Sequence, residues 1–325
     1  SCHRLILGIS VLSLVTTMLA VVVCYQGEIK DRIGASRSTA MKKMQYRRKL
    51  LRSYYDPRSI SQKTYFPPGS VAAVFNTPKC GTDTLANSFV KSFECGTNYG
   101  YIGQVLQFDC PEQRKVLRTH ELQEGMERIR DARSLHPERN CMVVTAIRNP
   151  QVWLASLYMQ TDEGYSLCDE YDITREDFVQ KYRDWIVRSR GSIQHAITAL
   201  RPPLLKMFGA QSLADEFMKM NTNGGYSILN YPSSSTSSPT SRTTSPFTNC
   251  QLLFLRMEDS KNWSNILSKL SPSLVVNPSP ARADRCPAIA AHYHAIKNYK
   301  LTEEEKSLIV GGNVDAAEYF EVYTL

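Results

Sequence analysis

The sequence predicts an α/β protein, a three-layer sandwich on a central parallel sheet with a phosphate-binding loop, preceded by one transmembrane helix. Three observations carry this expectation. Apolar, β-leaning runs alternate with stretches whose apolar residues recur at three and four positions, the pattern of parallel strands joined by crossover helices. Each run ends in a polar cluster, and in open α/β sheets ligands gather beyond the carboxyl ends of the strands. Ahead of them all, Leu5 to Cys24 is twenty residues without a charge, long enough to cross a bilayer core of about 30 Å.

The N-terminal part divides by composition. Residues 1–4 read as a short tail with residues missing ahead of Ser1, 5–25 as the anchor and 26–69 as a basic stem closed by Pro67-Pro68-Gly69. The formal net charge is +8, of which residues 26–52 contribute +7 through nine Lys/Arg against two acids. The remainder of the chain is therefore close to neutral, which argues against nucleic acid as a partner. Residues 70–325 form the expected globular domain.

The strands come in order. Val71 to Phe75 runs into Asn76-Thr77-Pro78-Lys79-Cys80-Gly81-Thr82, and a helical pattern follows with Leu85, Phe89, Val90 and Phe93 on one face. Lys115 to Arg118 leads to Thr119-His120-Glu121. Cys141 to Ile147, a continuous apolar run of the buried parallel type, ends in Arg148-Asn149-Pro150. Gln251 to Leu255 ends in Arg256-Met257-Glu258-Asp259. Between them, residues 176–189 repeat Phe178, Val179, Tyr182, Trp185 and Ile186 at helical spacing.

The first loop carries the chemistry. A strand, a tight turn and a helix leave the helix's first N–H groups without internal partners at its positive end, where a phosphate is held readily. Lys79 adds a full charge, Gly81 lets the backbone approach, and Thr82 offers a hydroxyl. The order is P-loop-like without the spacing G-x-x-x-x-G-K-[ST]. An arginine leaving a strand at Arg148 and a serine two turns into the next helix, Ser156, are spaced to converge on a second anion.

These motifs resemble those of the sulfotransferases. Thr77-Pro78-Lys79-Cys80-Gly81-Thr82 is similar to the loop that holds the 5′-phosphate of the sulfate donor PAPS (3′-phosphoadenosine 5′-phosphosulfate). Arg148-Asn149-Pro150 with Ser156 resembles the 3′-phosphate motif. Leu117-Arg118-Thr119-His120 resembles the Lys-Thr-His segment of the family, and Phe254 to Asp259 its Tyr-Glu-Asp segment. Four motifs in the family's order cover residues 71–260, and the likeness thins after 265.

The resemblance implies metal-free, in-line transfer of a sulfuryl group from PAPS to a carbohydrate or other acceptor hydroxyl, leaving PAP. It implies His120 as general base and Lys79 as the stabiliser of developing charge. It places Lys79, Cys80, Gly81, Thr82, Asp83 and Thr84 at the 5′-phosphate, and Arg148 and Ser156 at the 3′-phosphate. The Golgi-anchored members further imply a type II protein with a lumenal domain, held to the membrane through residues 5–25. The basic stem, by the positive-inside rule, argues for the opposite orientation.

The chain also departs from the family. Asp83 stands where a second hydroxyl is usual, so its carboxylate is expected to face away or to cap the helix locally. Cys80 replaces a small hydroxyl residue and is not read as a nucleophile. The glycine-rich Arg-Lys-Gly segment near the end of cytosolic members is absent. Two other functions fit parts of the pattern: a P-loop kinase or NTPase, and a non-catalytic member serving polysaccharide assembly.

Residues 232–248 hold seven Ser, five Thr and three Pro and are expected as a disordered surface loop. Upstream, Phe208, Phe217 and Tyr226 are placed to shape an acceptor pocket. Six cysteines, Cys95, Cys110, Cys141, Cys168, Cys250 and Cys286, can supply disulfides whose pairing the spacing leaves open. No Cys-x-x-Cys occurs, so zinc is not expected. Asn262-Trp263-Ser264 is a glycosylation sequon, and Thr302 with Glu305 spells a capping box.

Overall fold

Continuous apolar runs become the middle of the sheet. A computed structural model describes residues 66–324 apart from 97–98, 135, 138, 168–171, 233–246, 272–273 and 277–289. In chain order the strands are β1 (Val71–Phe75), β2 (Tyr99–Ile102), β3 (Val105–Asp109), β4 (Lys115–Thr119), β5 (Cys141–Ile147), β6 (Tyr226–Asn230) and β7 (Cys250–Arg256). The helices are α1 (Thr82–Ser92), α2 (Leu122–Arg133), α3 (Pro150–Tyr158), α4 (Asp162–Ser166), α5 (Arg175–Thr198), α6 (Arg201–Met207), α7 (Leu213–Thr222), α8 (Trp263–Ser268), α9 (Ala290–Lys297), α10 (Glu303–Val310) and α11 (Val314–Glu321).

The seven strands lie in the order β2-β3-β4-β1-β5-β7-β6. Every residue of β1 and β5 is buried, as strands covered on both faces require. Helices cover both faces. On one, Asp83 of α1 reaches Arg118 of β4; on the other, Gly125 of α2 lies against Phe75 and Thr119.

The expected fold class needs one correction. The sheet is mixed: β4, β1, β5 and β7 run parallel, but β2 pairs antiparallel with β3, β3 with β4, and β6 with β7. The antiparallel strands are the outer ones. They bury less of each residue, as in β6, so they lack the unbroken apolar run that marks a central parallel strand. Among the described residues no helix is long and apolar enough to cross a membrane; the expected transmembrane helix does not fall among them. Residues 5–25, and the stem up to residue 65, lie outside the described residues.

Local chemistry sets the helix starts. Asn149 accepts from the N–H groups of Gln151 and Val152, and Pro150 opens α3 where no donor is missed. Thr174, Ser212 and Asn313 cap α5, α7 and α11, and Thr302 with Glu305 closes the capping box of α10. Cys95 is bonded to Cys110 and Cys141 to Cys250; Cys168 and Cys286 lie outside the described residues. The second bridge joins directly paired residues of β5 and β7, at their amino ends.

Candidate functional site

After β1 the chain departs toward β4, and after β5 it departs toward β7. The two loops leave in opposite directions, so a crevice opens between the carboxyl ends of β1 and β5, where ligands of open α/β sheets sit. The loop at 76–81 and the loop at 148–149 meet there. Arg148 Nη1 donates to the Lys79 carbonyl at 3.0 Å, and Trp153 Nε1 donates to the Pro78 carbonyl at 2.8 Å.

Lys79 and Gly81 both hold left-handed backbone, with φ of 68° and 76°. For a lysine this costs on the order of 1 kcal/mol or more, strain of the kind that collects at functional loops. Gly81 caps α1 without a side-chain bond. The first bond of the helix runs from Leu85 N–H to the Gly81 carbonyl at 3.0 Å, so the N–H groups of Gly81, Thr82 and Asp83 precede it. The Thr82 hydroxyl is buried and has no hydrogen-bond partner among the described residues. Gly81 has a further reason to be glycine: a Cβ there would stand 2.7 Å from the Trp263 ring and 3.0 Å from Met257 Sδ. The space beside its Cα is filled by protein.

Asn76, fully buried, ties the crevice together. Its Nδ2 donates to the Cys80 carbonyl at 2.9 Å, and its Oδ1 accepts from Thr145 Oγ1 at 3.2 Å and from the Ala146 N–H. Its backbone carbonyl accepts from His120 Nδ1. One residue thus joins β1, β5, the loop and the histidine after β4. Because a carbonyl only accepts, Nδ1 carries the proton, which in the neutral tautomer leaves Nε2 as the acceptor nitrogen. His120 is exposed to solvent.

Beneath the loop lies Arg201, the first residue of α6, only 2% exposed. Its Nη2 donates to Thr77 Oγ1 at 3.0 Å and to the Ala146 carbonyl at 3.2 Å, and it lies 3.8 Å from Cys80 Sγ. Its guanidinium sits 5.1 Å from the centre of the Tyr319 ring, whose hydroxyl donates to the Arg148 carbonyl at 2.6 Å. Burial pushes the Cys80 thiol up, against the pull of Arg201 and the Thr77 hydrogen bond. Cys80 therefore stays a thiol at neutral pH and is no nucleophile.

The remaining sequence-predicted residues fall as follows. Asp83 pairs with Arg118 at 2.8 Å and is spent on that contact, without capping α1. Thr84 is buried in the first turn of α1. Ser156 is buried in α3, and its hydroxyl meets Tyr293 OH of α9 at 3.0 Å. Glu258 accepts from Asn149 N–H at 2.7 Å and from Tyr323 OH at 3.0 Å, so it braces the arginine loop. Asp259 pairs with Arg256 at 2.5 Å.

Phe208 and Phe217 are buried and pack against Tyr231 and Tyr323 respectively, and the Tyr226 ring lies under Lys269 Nζ. Three residues of the crevice were not foreseen: Asn76 as its hub, Arg201 as its floor and Tyr293 beside Ser156. Asn76 had a signal, a polar amide directly after a buried strand. Arg201 had none, since it precedes Pro202-Pro203 more than fifty residues from the motifs it supports.

Fold and site define an α/β protein with a glycine-hinged strand–loop–helix at the switch point of a mixed sheet. Comparison of the chain with protein-family models, with curated proteins and with solved structures gave no match.

Proposed function

We propose that this protein is a PAPS-dependent sulfotransferase acting on a hydroxyl of a carbohydrate. The observation that carries the proposal is the meeting of the Lys79 and Arg148 loops in the crevice between β1 and β5, with His120 held beside it by Asn76. The unpartnered Thr82 hydroxyl and the acid-free cation Arg201 suit a site completed by an anion. PAPS supplies the sulfuryl group; the acceptor oxygen bonds to sulfur as the bond from sulfur to the phosphate oxygen breaks, and PAP departs.

The chain's own groups serve that transfer as follows. His120 Nε2 takes the acceptor's proton. The first-turn N–H groups of α1 and the Lys79 ammonium stabilise the charge gathering on the departing phosphate oxygen. Arg148 braces the loop through the Lys79 carbonyl, and its remaining N–H groups would serve the second phosphate. The two disulfides support a chain matured in an oxidising compartment, in keeping with a lumenal enzyme.

Incubation with labelled PAPS and a mixed glycan acceptor is expected to yield labelled glycan. Lys79→Ala and His120→Ala should each lower transfer at least about 100-fold, the scale of one lost general base or charge stabiliser. Wild-type rates in both variants would remove this mechanism. Binding of ATP but not PAP would turn the assignment to a nucleotide kinase or NTPase. Tight PAP binding without transfer to any glycan would leave a non-catalytic member of the fold.

A further inference from the structure

Arg201 is difficult to account for by stability. A buried cation loses its hydration and is kept in folded proteins by a carboxylate partner. Among the described residues none lies within ion-pair distance of Arg201, whose Nε is also buried without a hydrogen bond. Its place in the fold adds to the cost, because the first turn of a helix disfavours positive charge. The neighbouring groups do not supply the missing negative charge. Cys80 is a neutral thiol and Tyr319 a neutral phenol, pushed up by burial. The acid whose field reaches this cluster, Glu258, is exposed and already holds Asn149 N–H and Tyr323 OH.

What Arg201 does touch is the loop. Its Nη2 joins Thr77 Oγ1 to the Ala146 carbonyl, one contact on the loop after β1 and one at the end of β5. A permanent charge there, under the backbone of the loop and away from solvent screening, acts on whatever lies on the other side. We infer that Arg201 is a positioning residue of the anion site, its charge left without a carboxylate so that the phosphate of a bound nucleotide supplies the counter-charge. The inference rests on the donor assignment for the identity of the ligand, PAP, but not for its charge. Arg201 acts through the loop and is not a group that contacts the reacting atoms.

The experiment measures binding of three probes, PAP, uncharged adenosine and inorganic pyrophosphate, to the full chain by calorimetry. Wild type is compared with Arg201→Met and Arg201→Lys. Arg201→Met is expected to weaken PAP and pyrophosphate by about 30-fold or more and adenosine by less than about 3-fold. Arg201→Lys, which keeps the charge, should restore both anions to within about 5-fold of wild type. A merely structural arginine gives a different result: PAP and adenosine weaken together, or neither changes, and either outcome overturns the inference. If Arg201→Met does not fold, Arg201→Lys decides alone, since loss of PAP affinity with adenosine affinity intact would show that charge at this position is not sufficient. If wild type binds pyrophosphate but not PAP, the donor assignment falls while the anion arms still test Arg201. If wild type binds neither anion, both fall.

Discussion

At the scale of single residues, the crevice depends on Asn76 more than on any charged side chain. A buried amide is costly unless its groups are paired, and here Oδ1 and Nδ2 are satisfied across two strands and a loop. Asn76→Ala would strand the Thr145 hydroxyl and the Ala146 N–H in a dry interior, each worth about 1–3 kcal/mol. The expected loss is about 2–4 kcal/mol in urea denaturation, with an unchanged dependence on urea concentration. The contact to His120 comes from the backbone carbonyl of Asn76, so it outlasts the substitution. A loss below about 0.5 kcal/mol would mean that the amide is not the hub its contacts suggest. Position within the sequence made Asn76 visible as a polar residue at a strand end, but its partners on β5 lie about seventy residues away and leave no local trace.

At the scale of elements, the long α5 is fastened to the C-terminal helices by one carboxylate. Glu305, the third residue of α10, accepts from the Thr302 N–H at 2.9 Å, from Tyr299 OH at 2.9 Å and from Arg183 of α5 at 2.9 Å. Burial alone would raise its pKa, but these hydrogen bonds, the Thr302 N–H foremost, outweigh burial and hold the carboxyl below its usual range. A carboxyl depressed in the folded state contributes stability above its unfolded value of about 4.3. That contribution disappears as pH falls through the lower, folded value. Glu305→Gln should therefore be less stable than wild type by about 1–3 kcal/mol at pH 7. The gap should close as pH drops below about 4. A gap independent of pH would assign the effect to packing. The capping box was written plainly in Thr302-x-x-Glu305, whereas the tie to Arg183, more than a hundred residues earlier, exists only after folding.

At the scale of the whole molecule, the proposed function gives the two ends of the sheet different tasks. The four parallel strands were legible because burial on both faces demands an unbroken apolar run, and the polar residues after them marked the rim where the proposed site lies. The hairpin of β2 and β3 and the edge strand β6 were not, because short antiparallel edges carry the weaker alternating pattern. At the amino end of β5 and β7 the Cys141–Cys250 bridge closes a separation of 109 residues, a loop for which chain entropy gives about 2–5 kcal/mol. Arg133 packs there too, donating to the carbonyls of Arg139 at 2.6 Å and Thr248 at 2.8 Å. None of these groups reaches the carboxyl rim, where β5 is still seven residues from its start. The paired substitution Cys141→Ala with Cys250→Ala should accordingly lower unfolding stability by about 2–5 kcal/mol while leaving PAP affinity within about 3-fold of wild type. Arg148→Ala at the other end is expected to do the reverse, weakening PAP at least about 10-fold, the scale of a lost charge-assisted hydrogen bond, with little change in stability. Chemical denaturation and calorimetry on the same two proteins test the separation. If removing the bridge weakened PAP as strongly as Arg148→Ala does, the two ends would be coupled through β5, and the rim could no longer be treated as a site carried by an independent scaffold.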